Sequence, residues 1–315
     1  MKFKTTAIAL AVAGTVAVPM AAQADLYASA RIGLASVDTG GVSELSIGGV
    51  SSRFGMRSET DLGNGMTGFG RYEFSVNTEE SGADSVVGGR HAYVGLKGDF
   101  GSMTLGRTYH TFYNHIIGPY DIPWVGSNKY SAATVNGRSA EAVTYAGSVG
   151  AVSWGATGYF NVDATPTTGE EGLNGFELAG TFGIGDMNLG VGIQDIEADA
   201  PNDIESVMGI TLSGIGLGDA SMAVSFQTRD TNGTSVGTDT LALHADIGNA
   251  YVHYESSSPD VSGTVPEPTM LTIGYNMALG RKTLAYFEAV IDDADTGNSD
   301  DDATSLYAVL KYDIE

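Results

Sequence analysis

From residue 26 to residue 313 the sequence keeps returning to one pattern, apolar and small polar side chains alternating residue by residue. In 187–194, Met187, Leu189, Val191 and Ile193 take one face and Asn188, Gly190, Gly192 and Gln194 the other. Met222, Val224 and Phe226 oppose Ser221, Ser225 and Gln227, and Leu241, Leu243, Ala245 and Ile247 oppose Thr240, His244 and Asp246. Val152, Trp154, Ala156 and Phe160 oppose Ser153, Thr157 and Tyr159. A two-residue period marks β-strands with one apolar and one polar face, and no stretch beyond a couple of turns carries a helical period. The chain is therefore expected to be all-β.

Connections alternate between short and long. The short ones, at 61–65, 98–101, 147–150, 183–186, 214–218, 247–249 and 278–281, are rich in Gly, Asn and Asp, the chemistry of tight hairpins. The long ones lie near 36–43, 78–86, 108–137, 161–174, 197–203, 229–238, 257–267 and 292–304. Together they join sixteen strands in up-and-down order: 26–35, 43–58, 65–78, 86–97, 101–107, 138–146, 150–161, 174–183, 187–197, 203–214, 218–229, 237–247, 249–257, 267–278, 281–292 and 304–313. Most reach the ~9–11 residues of a tilted membrane strand. Short turns at one end and long loops at the other are the layout of a transmembrane β-barrel, and sixteen strands close around an aqueous channel.

A soluble β-sandwich would alternate too, but its polar faces carry Lys, Glu and Arg. Here they carry Ser, Thr, Asn, Gln and Gly, and charge gathers in connections such as Glu170–Glu171, Glu197 with Asp199, and the tract Asp292–Asp302. The expected fold is a sixteen-stranded antiparallel transmembrane β-barrel (25–315) with its third long loop folded inward.

Residues 1–24 read as a cleaved secretory signal: Lys2 and Lys4, a short apolar core over 5–18, and Ala22-Gln23-Ala24 as cleavage site. Their removal takes the net charge from −23 to −25, because they hold two lysines and no acid. So acidic a chain makes nucleic acid an unsuitable partner, since phosphate binding needs basic patches. There is no cysteine, so no disulfide framework is expected.

The loop 108–137 is the longest stretch without strand pattern, and such a loop is normally functional or disordered. It carries Trp124, four tyrosines (Tyr109, Tyr113, Tyr120 and Tyr130) and one carboxylate, Asp121, too apolar a composition for a solvated linker. It is expected to fold into the barrel and narrow it, with Tyr120, Asp121 and Trp124 at the constriction.

Arginine on a lipid-facing position costs about 2–4 kcal/mol near the membrane midplane. Arg53 and Arg57 oppose Phe54 and Met56; Arg71 opposes Tyr72 and Phe74; Arg138 opposes Val143 and Tyr145. All four are therefore expected to face the lumen. Arg107 shares the parity of Met103 and Leu105, which places it at the rim or after a bulge, and it is kept as a member of the basic wall. Tyr72, Phe74, Tyr145, Trp154, Phe160, Phe226, Tyr254, Tyr275 and Tyr312 take the lipid parity near strand ends and suit interfacial girdles.

Other motifs are weak. Asp293–Gly297 lacks the third acid and the terminal Glu of an EF-hand loop. Gly214–Gly218 precedes no helix and is not a dinucleotide loop. His244 with Asp246, and His253 with Glu255, share the lumen parity but join no nucleophile motif, so no enzyme, cofactor or metal is expected.

Several stretches resemble the general diffusion porins of Gram-negative bacteria: Ser51–Phe74 (SSRFGMRSETDLGNGMTGFGRYEF), Arg90–Tyr109 (RHAYVGLKGDFGSMTLGRTY), Asn136–Gly147 (NGRSAEAVTYAG), Ala278–Val290 and Ser305–Asp313. The GLxGDFG…LGR block (Gly95–Arg107) is the specific part. The resemblance implies an outer-membrane homotrimer set in lipid and lipopolysaccharide, with the third loop bent into each barrel opposite a basic wall. It also implies a C-terminal Phe; here Ile314 falls in that place with Glu315 beyond, and Tyr312, on the lipid parity, is expected to stand in.

The function expected is a passive channel for small hydrophilic solutes and ions. The alternatives are a substrate-specific channel whose loop aromatics form a binding track, and a surface barrel with little conductance. The arginine wall favours anions at the narrowest point and the acidic loops favour cations at the mouth. Weak selectivity in molar salt, drifting towards cations as salt falls, is the expectation.

Overall fold

In the computed structural model, described over residues 24–78, 86–160, 173–197, 204–231, 237–259, 266–296 and 301–314, nearly every segment is strand. The proposed signal 1–24 (bar residue 24) and Glu315 lie outside the described residues. The elements are β1 (Asp25–Thr39), β2 (Val42–Gly49), β3 (Arg53–Gly63), β4 (Met66–Val76), β5 (Val87–Gly98), β6 (Gly101–Tyr109), β7 (Arg138–Ser139), β8 (Ala142–Val149) and β9 (Val152–Phe160). They continue as β10 (Leu173–Ile184), β11 (Met187–Glu197), β12 (Ile204–Leu217), β13 (Ala220–Thr231), β14 (Thr238–Ile247), β15 (Ala250–Pro259), β16 (Thr269–Gly280), β17 (Thr283–Asp293) and β18 (Ala303–Ile314).

These eighteen segments make sixteen staves. β2 and β3 both pair with β1 and are one stave interrupted at 50–52; β7 and β8 both pair with β6 and are one stave interrupted at 140–141. Each interruption holds a non-glycine residue in the left-handed region, Ser51 (φ 57°) and Glu141 (φ 52°), the local kink of a bulged strand. Every neighbouring pair is antiparallel, and β1 pairs with β18 from Ala28↔Ile314 to Thr39↔Ala303, which closes the sheet. Closure leaves no open edge among the described strands, the condition a sheet must meet to sit in lipid.

One connection differs from expectation. Residues 36–43 are not a long loop: β1 runs to Thr39 and β2 starts at Val42, with only Gly40 (φ 58°) and Gly41 (φ 77°) between. Two consecutive positive φ angles make the primed turn whose twist matches paired strands, so the hairpin needs no more chain.

The alternation sorts as the sequence requires. Leu34, Met56, Val94, Phe182, Ile210, Phe226, Ile273 and Leu306 are exposed on the outer face, as are Tyr72, Tyr145, Trp154, Phe160, Tyr275 and Tyr312 of the aromatic set. Thr144, Thr157, Gln194, Thr211, Ser225, Gln227, Thr240 and Thr272 are buried inside. Burying polar groups while exposing apolar ones inverts the soluble pattern and suits a barrel whose solvent outside is hydrocarbon.

The main buried apolar cluster lies within the barrel, where Phe112, Ile116, Ile117, Tyr120, Ala132 and Ala133 of the loop after β6 meet Val207, Ala223 and Ala242 of β12, β13 and β14. Small wall residues make the room. A Cβ on Gly209 would stand 2.6 Å from Ile116 Cγ2 and 2.8 Å from Phe112 Cζ. At Gly274 of β16 the Tyr251 ring lies across the backbone, where a methyl group would overlap it. Gly274→Ala is expected to push Tyr251 off its bond to Glu288 and to cost about 1–3 kcal/mol as an overpacked site. Urea unfolding of the folded barrel would read this as a lowered midpoint.

Candidate functional site: the loop and the basic wall

The loop between β6 and β7 begins with a single π-helical turn, Tyr113–Ile117, and otherwise has no regular structure. The turn and the bends after it bond the amides of Asn114, Gly118, Tyr120, Asp121 and Ile122 within the loop, and the amides beyond them need partners from elsewhere. Three buried glutamates on the inner wall supply them. Glu177 of β10 accepts from Phe112 N at 2.8 Å. Glu255 of β15 accepts from Asn128 N and from Tyr130 N at 3.0 Å. Glu288 of β17 accepts from Trp124 N at 2.5 Å, Val125 N at 2.9 Å and Gly126 N at 3.2 Å, and from the Tyr251 hydroxyl. A carboxylate receiving two or three N–H groups makes charge-assisted bonds, roughly twice as strong as neutral ones.

Neutral side chains complete the seam. Thr211 donates to Ile116 O at 2.7 Å, Thr272 to Gly126 O at 2.7 Å and Thr240 to Tyr130 O at 2.6 Å. Gln194 both donates to Val135 O (3.1 Å) and accepts from Val135 N (3.0 Å). Arg229 Nε donates to Ala132 O at 2.7 Å, and Asp292 accepts from the Lys129 ammonium and the Tyr130 hydroxyl. The loop is thus fastened along β10 to β17, and β1, β3, β4, β5 and β18 form the opposite side of the ring.

That opposite side is basic. Glu73 of β4, almost fully buried, binds Arg71, the Tyr27 hydroxyl (2.9 Å) and Arg90 Nε (2.8 Å), with Arg53 at 3.8 Å. Arg71 Nε donates to the Tyr27 oxygen at 2.7 Å, which fixes both. Arg138 lies over the Tyr109 ring at 4.5 Å, and Tyr109 stacks on Tyr113 of the loop at 4.2 Å. Arg31 stands over the Trp124 ring at 4.8 Å and Lys311 at 5.6 Å.

The expected residues divide. Arg53 and Arg71 meet on Glu73, and Arg138 reaches the same wall through Tyr109. Arg57, in register with Arg71, is well exposed, 3.5 Å from Asp25 at the start of β1 and 5.7 Å above the Tyr27 ring that Arg71 also faces, but it makes no contact with Glu73. Arg107 pairs in register with Ala92, an exposed neighbour of the outward Val94, and its Nε is buried without a hydrogen-bond partner; it joins none of the Glu73 contacts. Asp121 is held within the loop, accepting from the Tyr113 hydroxyl at 2.6 Å and Ser127 Oγ at 2.5 Å, and no ion pair among the described residues ties it to an arginine. Tyr120 is fully buried against the wall, bonded to Gln227 Nε2 at 2.7 Å. Trp124 is bonded through Nε1 to Asn276 Oδ1 at 2.8 Å.

Arg31, Arg90, Lys311, Glu177 and Glu288 are not among the residues expected from the sequence, and Glu255 is expected there only as the lumen-facing neighbour of His253. Parity would have found Arg31 and Lys311, which oppose Ile32 and Leu310. It would have misplaced Arg90, because the β4–β5 register shifts between Glu73↔His91 and Phe74↔Gly89 and leaves Arg90 as the extra residue. The glutamates carry the lumen parity but nothing local shows that they receive a loop.

Burial pushes the Tyr113, Tyr120 and Tyr130 hydroxyls above the ordinary tyrosine value, reinforced by Asp121, Glu255 and Asp292 respectively. Burial alone lowers His115. Because the tyrosine values are raised, their contribution to stability is complete below pH ~10 and is lost as pH rises through the folded values. For His115 the sign reverses: its contribution is present above pH ~6.5 and lost as pH falls through its lowered value. Ultraviolet titration of the folded protein is expected to show these three tyrosines ionising only as the loop or barrel unfolds; ordinary titration of all tyrosines near pH 10 would contradict it.

Residues 6–315 match the family of Gram-negative porins. Outer membrane porin N of Escherichia coli (strain K12) is 30% identical over 175 residues, covering 48% of this chain and 45% of that protein. Major outer membrane protein P.IB of Neisseria meningitidis serogroup B is 35% identical over 120 residues, 33% of each chain. The chain thus spans less than half the length of either relative. Among solved structures, the anion-selective porin from Comamonas acidovorans superposes with a TM-score of 0.75 at 18% identity, covering 93% of this chain and all of that one. Salmonella typhi OmpF, in complex with daunomycin, gives 0.73 at 15% identity over 93% and 98%. A closed sixteen-stave barrel, apolar outside and polar within, and a family match over almost the whole sequence lead to one assignment: the chain belongs to the Gram-negative porins and is an integral β-barrel of the outer membrane.

Proposed function

We propose that this porin is a water-filled channel for passive diffusion of small hydrophilic solutes and ions, with loop 108–137 as its constriction and a homotrimer as its working form. The observation that carries the reading is the seam of Glu177, Glu255 and Glu288, which spends three buried carboxylates on holding one irregular loop against the inner wall. An arrangement that costs so much desolvation is explained if the loop must stay at one place in the lumen. Opposite it the basic wall sets the field that passing ions meet. Lipid and lipopolysaccharide surround the apolar outer face. The histidines suit a structural role rather than hydrolysis, since His253 is wholly buried and engaged with the anchoring Glu255 at 2.9 Å.

The trimer has support in a structural neighbour described as the trimer form of OmpT from Vibrio cholerae (TM-score 0.70, 15% identity). Six cations on the wall (Arg31, Arg53, Arg71, Arg90, Arg138, Lys311) stand with two carboxylates, Glu73 and Asp313, a wall of net four positive charges; across from it lie the loop-side carboxylates Asp121, Glu255 and Glu288, the last two capped by backbone amides, so the basic side sets the preference for anions at the constriction. The test is single-channel recording in a planar bilayer under a KCl gradient. Conductance steps that close in threes, current linear in salt, and a reversal potential of anion sign in molar salt are expected. Folded protein that gives no steps would overturn the reading.

A further inference from the structure

The chain holds four Asn-Gly pairs, Asn64–Gly65, Asn136–Gly137, Asn174–Gly175 and Asn232–Gly233, the last of which lies outside the described residues. Asn-Gly is the dipeptide most open to attack by a main-chain amide on the asparagine side chain, because glycine has no Cβ to crowd the closing ring. The three described pairs are held differently. Asn64 and Gly65 make the whole β3–β4 turn, both left-handed (φ 53° and 75°) between the paired Gly63 and Met66, and ring closure there would break the hairpin. Gly175 pairs with Tyr159 on one side and Ile196 on the other, so the sheet holds its backbone.

Asn136 has neither restraint. It is exposed, at the returning end of the constriction loop, two residues before Arg138. Among the described residues no acceptor is found for the Gly137 amide, and no atom lies within 4 Å of where a Cβ on Gly137 would sit. Asn136 also clasps the loop: its Nδ2 donates to Asn128 O at 3.1 Å and its Oδ1 accepts from Asn128 Nδ2 at 2.5 Å. Asn128 in turn donates its backbone N–H to the anchoring Glu255. The bond into Asn136 Oδ1 has a chemical effect as well. It draws charge from Cγ and meets the oxygen on which negative charge gathers when Cγ is attacked.

We propose that Asn136 is a site of spontaneous deamidation that ages the constriction. The Gly137 nitrogen gives its proton to solvent base and bonds to Asn136 Cγ. The Cγ–Nδ2 bond breaks, and that nitrogen leaves as ammonia with a proton from water. The succinimide ring then takes up one water and opens at either carbonyl, to aspartate or to isoaspartate. Water enters, ammonia leaves, and nothing is oxidised or reduced. The product has lost the Nδ2 donor and sets a carboxylate against the Asn128 carbonyl, two acceptors facing each other, so the clasp opens. A negative charge then stands two residues from Arg138, and the isoaspartate form lengthens the main chain just before Arg138, which lies over the Tyr109 ring.

The test is to age the folded, full-length protein for several days in mildly alkaline buffer and compare its Asn-Gly peptides by mass spectrometry, with isoaspartate read by methyltransferase labelling. Conversion at Asn136 is expected to be severalfold faster than at Asn64 or Asn174, and the three rates are expected to converge in urea-unfolded protein. Equal rates at the three sites of the folded protein, or an unconverted Asn136, would overturn the site. Asn136→Gln, whose longer side chain closes its ring far more slowly, is expected to keep both its mass and its KCl current on ageing. Asn136→Asp is expected to reproduce the aged protein, with a reversal potential moved towards cations and faster proteolysis within 128–136. Native values of both in Asn136→Asp would overturn the ageing of the constriction. The mass readout decides the modification whether or not the protein conducts, so folded protein without KCl steps counts against the channel reading alone.

Discussion

Replacing Glu288 by alanine is expected to detach the middle of the constriction loop and raise single-channel conductance. The carboxylate receives three backbone amides, from Trp124, Val125 and Gly126, and the Tyr251 hydroxyl. Each donor left buried without a partner costs about 1–3 kcal/mol. Three stranded amides therefore put at least about 3 kcal/mol against the seated loop, which shifts the detached population by more than about a hundredfold. The amides can regain partners only by moving to water, so the segment leaves the wall instead of staying unsatisfied. Bilayer recordings should show larger and noisier openings, and limited proteolysis should cut near residues 121–130 in the variant and not in the native barrel. Glu288→Gln keeps one acceptor oxygen and should fall between. An alanine variant with native conductance and native protease resistance would mean that the seam does not hold the loop.

The second large effect concerns charge. Arg53→Gln, Arg90→Gln and Arg138→Gln together take the wall from a net four positive charges to one and should carry the ion preference towards cations. A unit charge acting at ~7 Å through water changes an ion's energy by about 0.6 kcal/mol, so three amount to about 2 kcal/mol before screening. Screening over about 10 Å at 0.1 M salt reduces this to a severalfold fall in the anion-to-cation permeability ratio. The reversal potential under a KCl gradient reads the change, and its sign is expected to reverse in dilute salt, where the acidic mouth also counts. Glu73 ties Arg53, Arg71 and Arg90 together, so the triple variant leaves it with Arg71 and Tyr27 and does not strand a buried carboxylate. A reversal potential unmoved by three substitutions would remove this wall from the conduction path.

Glycine shows where reading the sequence stopped. Gly190 and Gly192 were legible as members of a polar face and as nothing more, and Gly209 carried no signal at all. In the folded chain their missing side chains are the floor on which the loop rests, with His115 O 2.3 Å from the place a Cβ would take at Gly190. Similarly, Val207, Ala223 and Ala242 break the polar face with apolar residues, which is the trace a docked loop leaves on a wall. That trace was open to reading in the sequence, but only with the strand neighbours known.

What the sequence determined by itself is the barrel. Period-two alternation fixes which side chain faces out, turn chemistry fixes most of the strand ends, and both depend only on residues a few places apart. The inward parity of Arg53, Arg71 and Arg138 followed from the same rule, because an arginine facing lipid is too costly. What only the tertiary structure decided is what those side chains meet. Arg90 turns inward through a register shift set by its partner strand, Arg57 is drawn to Asp25 and the Tyr27 ring instead of Glu73, and Asp121 is used by Tyr113 and Ser127 within the loop. Trp124 meets Glu288, Asn276 and Tyr286 from positions more than 150 residues away. Such contacts have no local signature: closure of the sheet brings distant strands to face one another, and the loop amides that find no partner within the loop take those that closure provides.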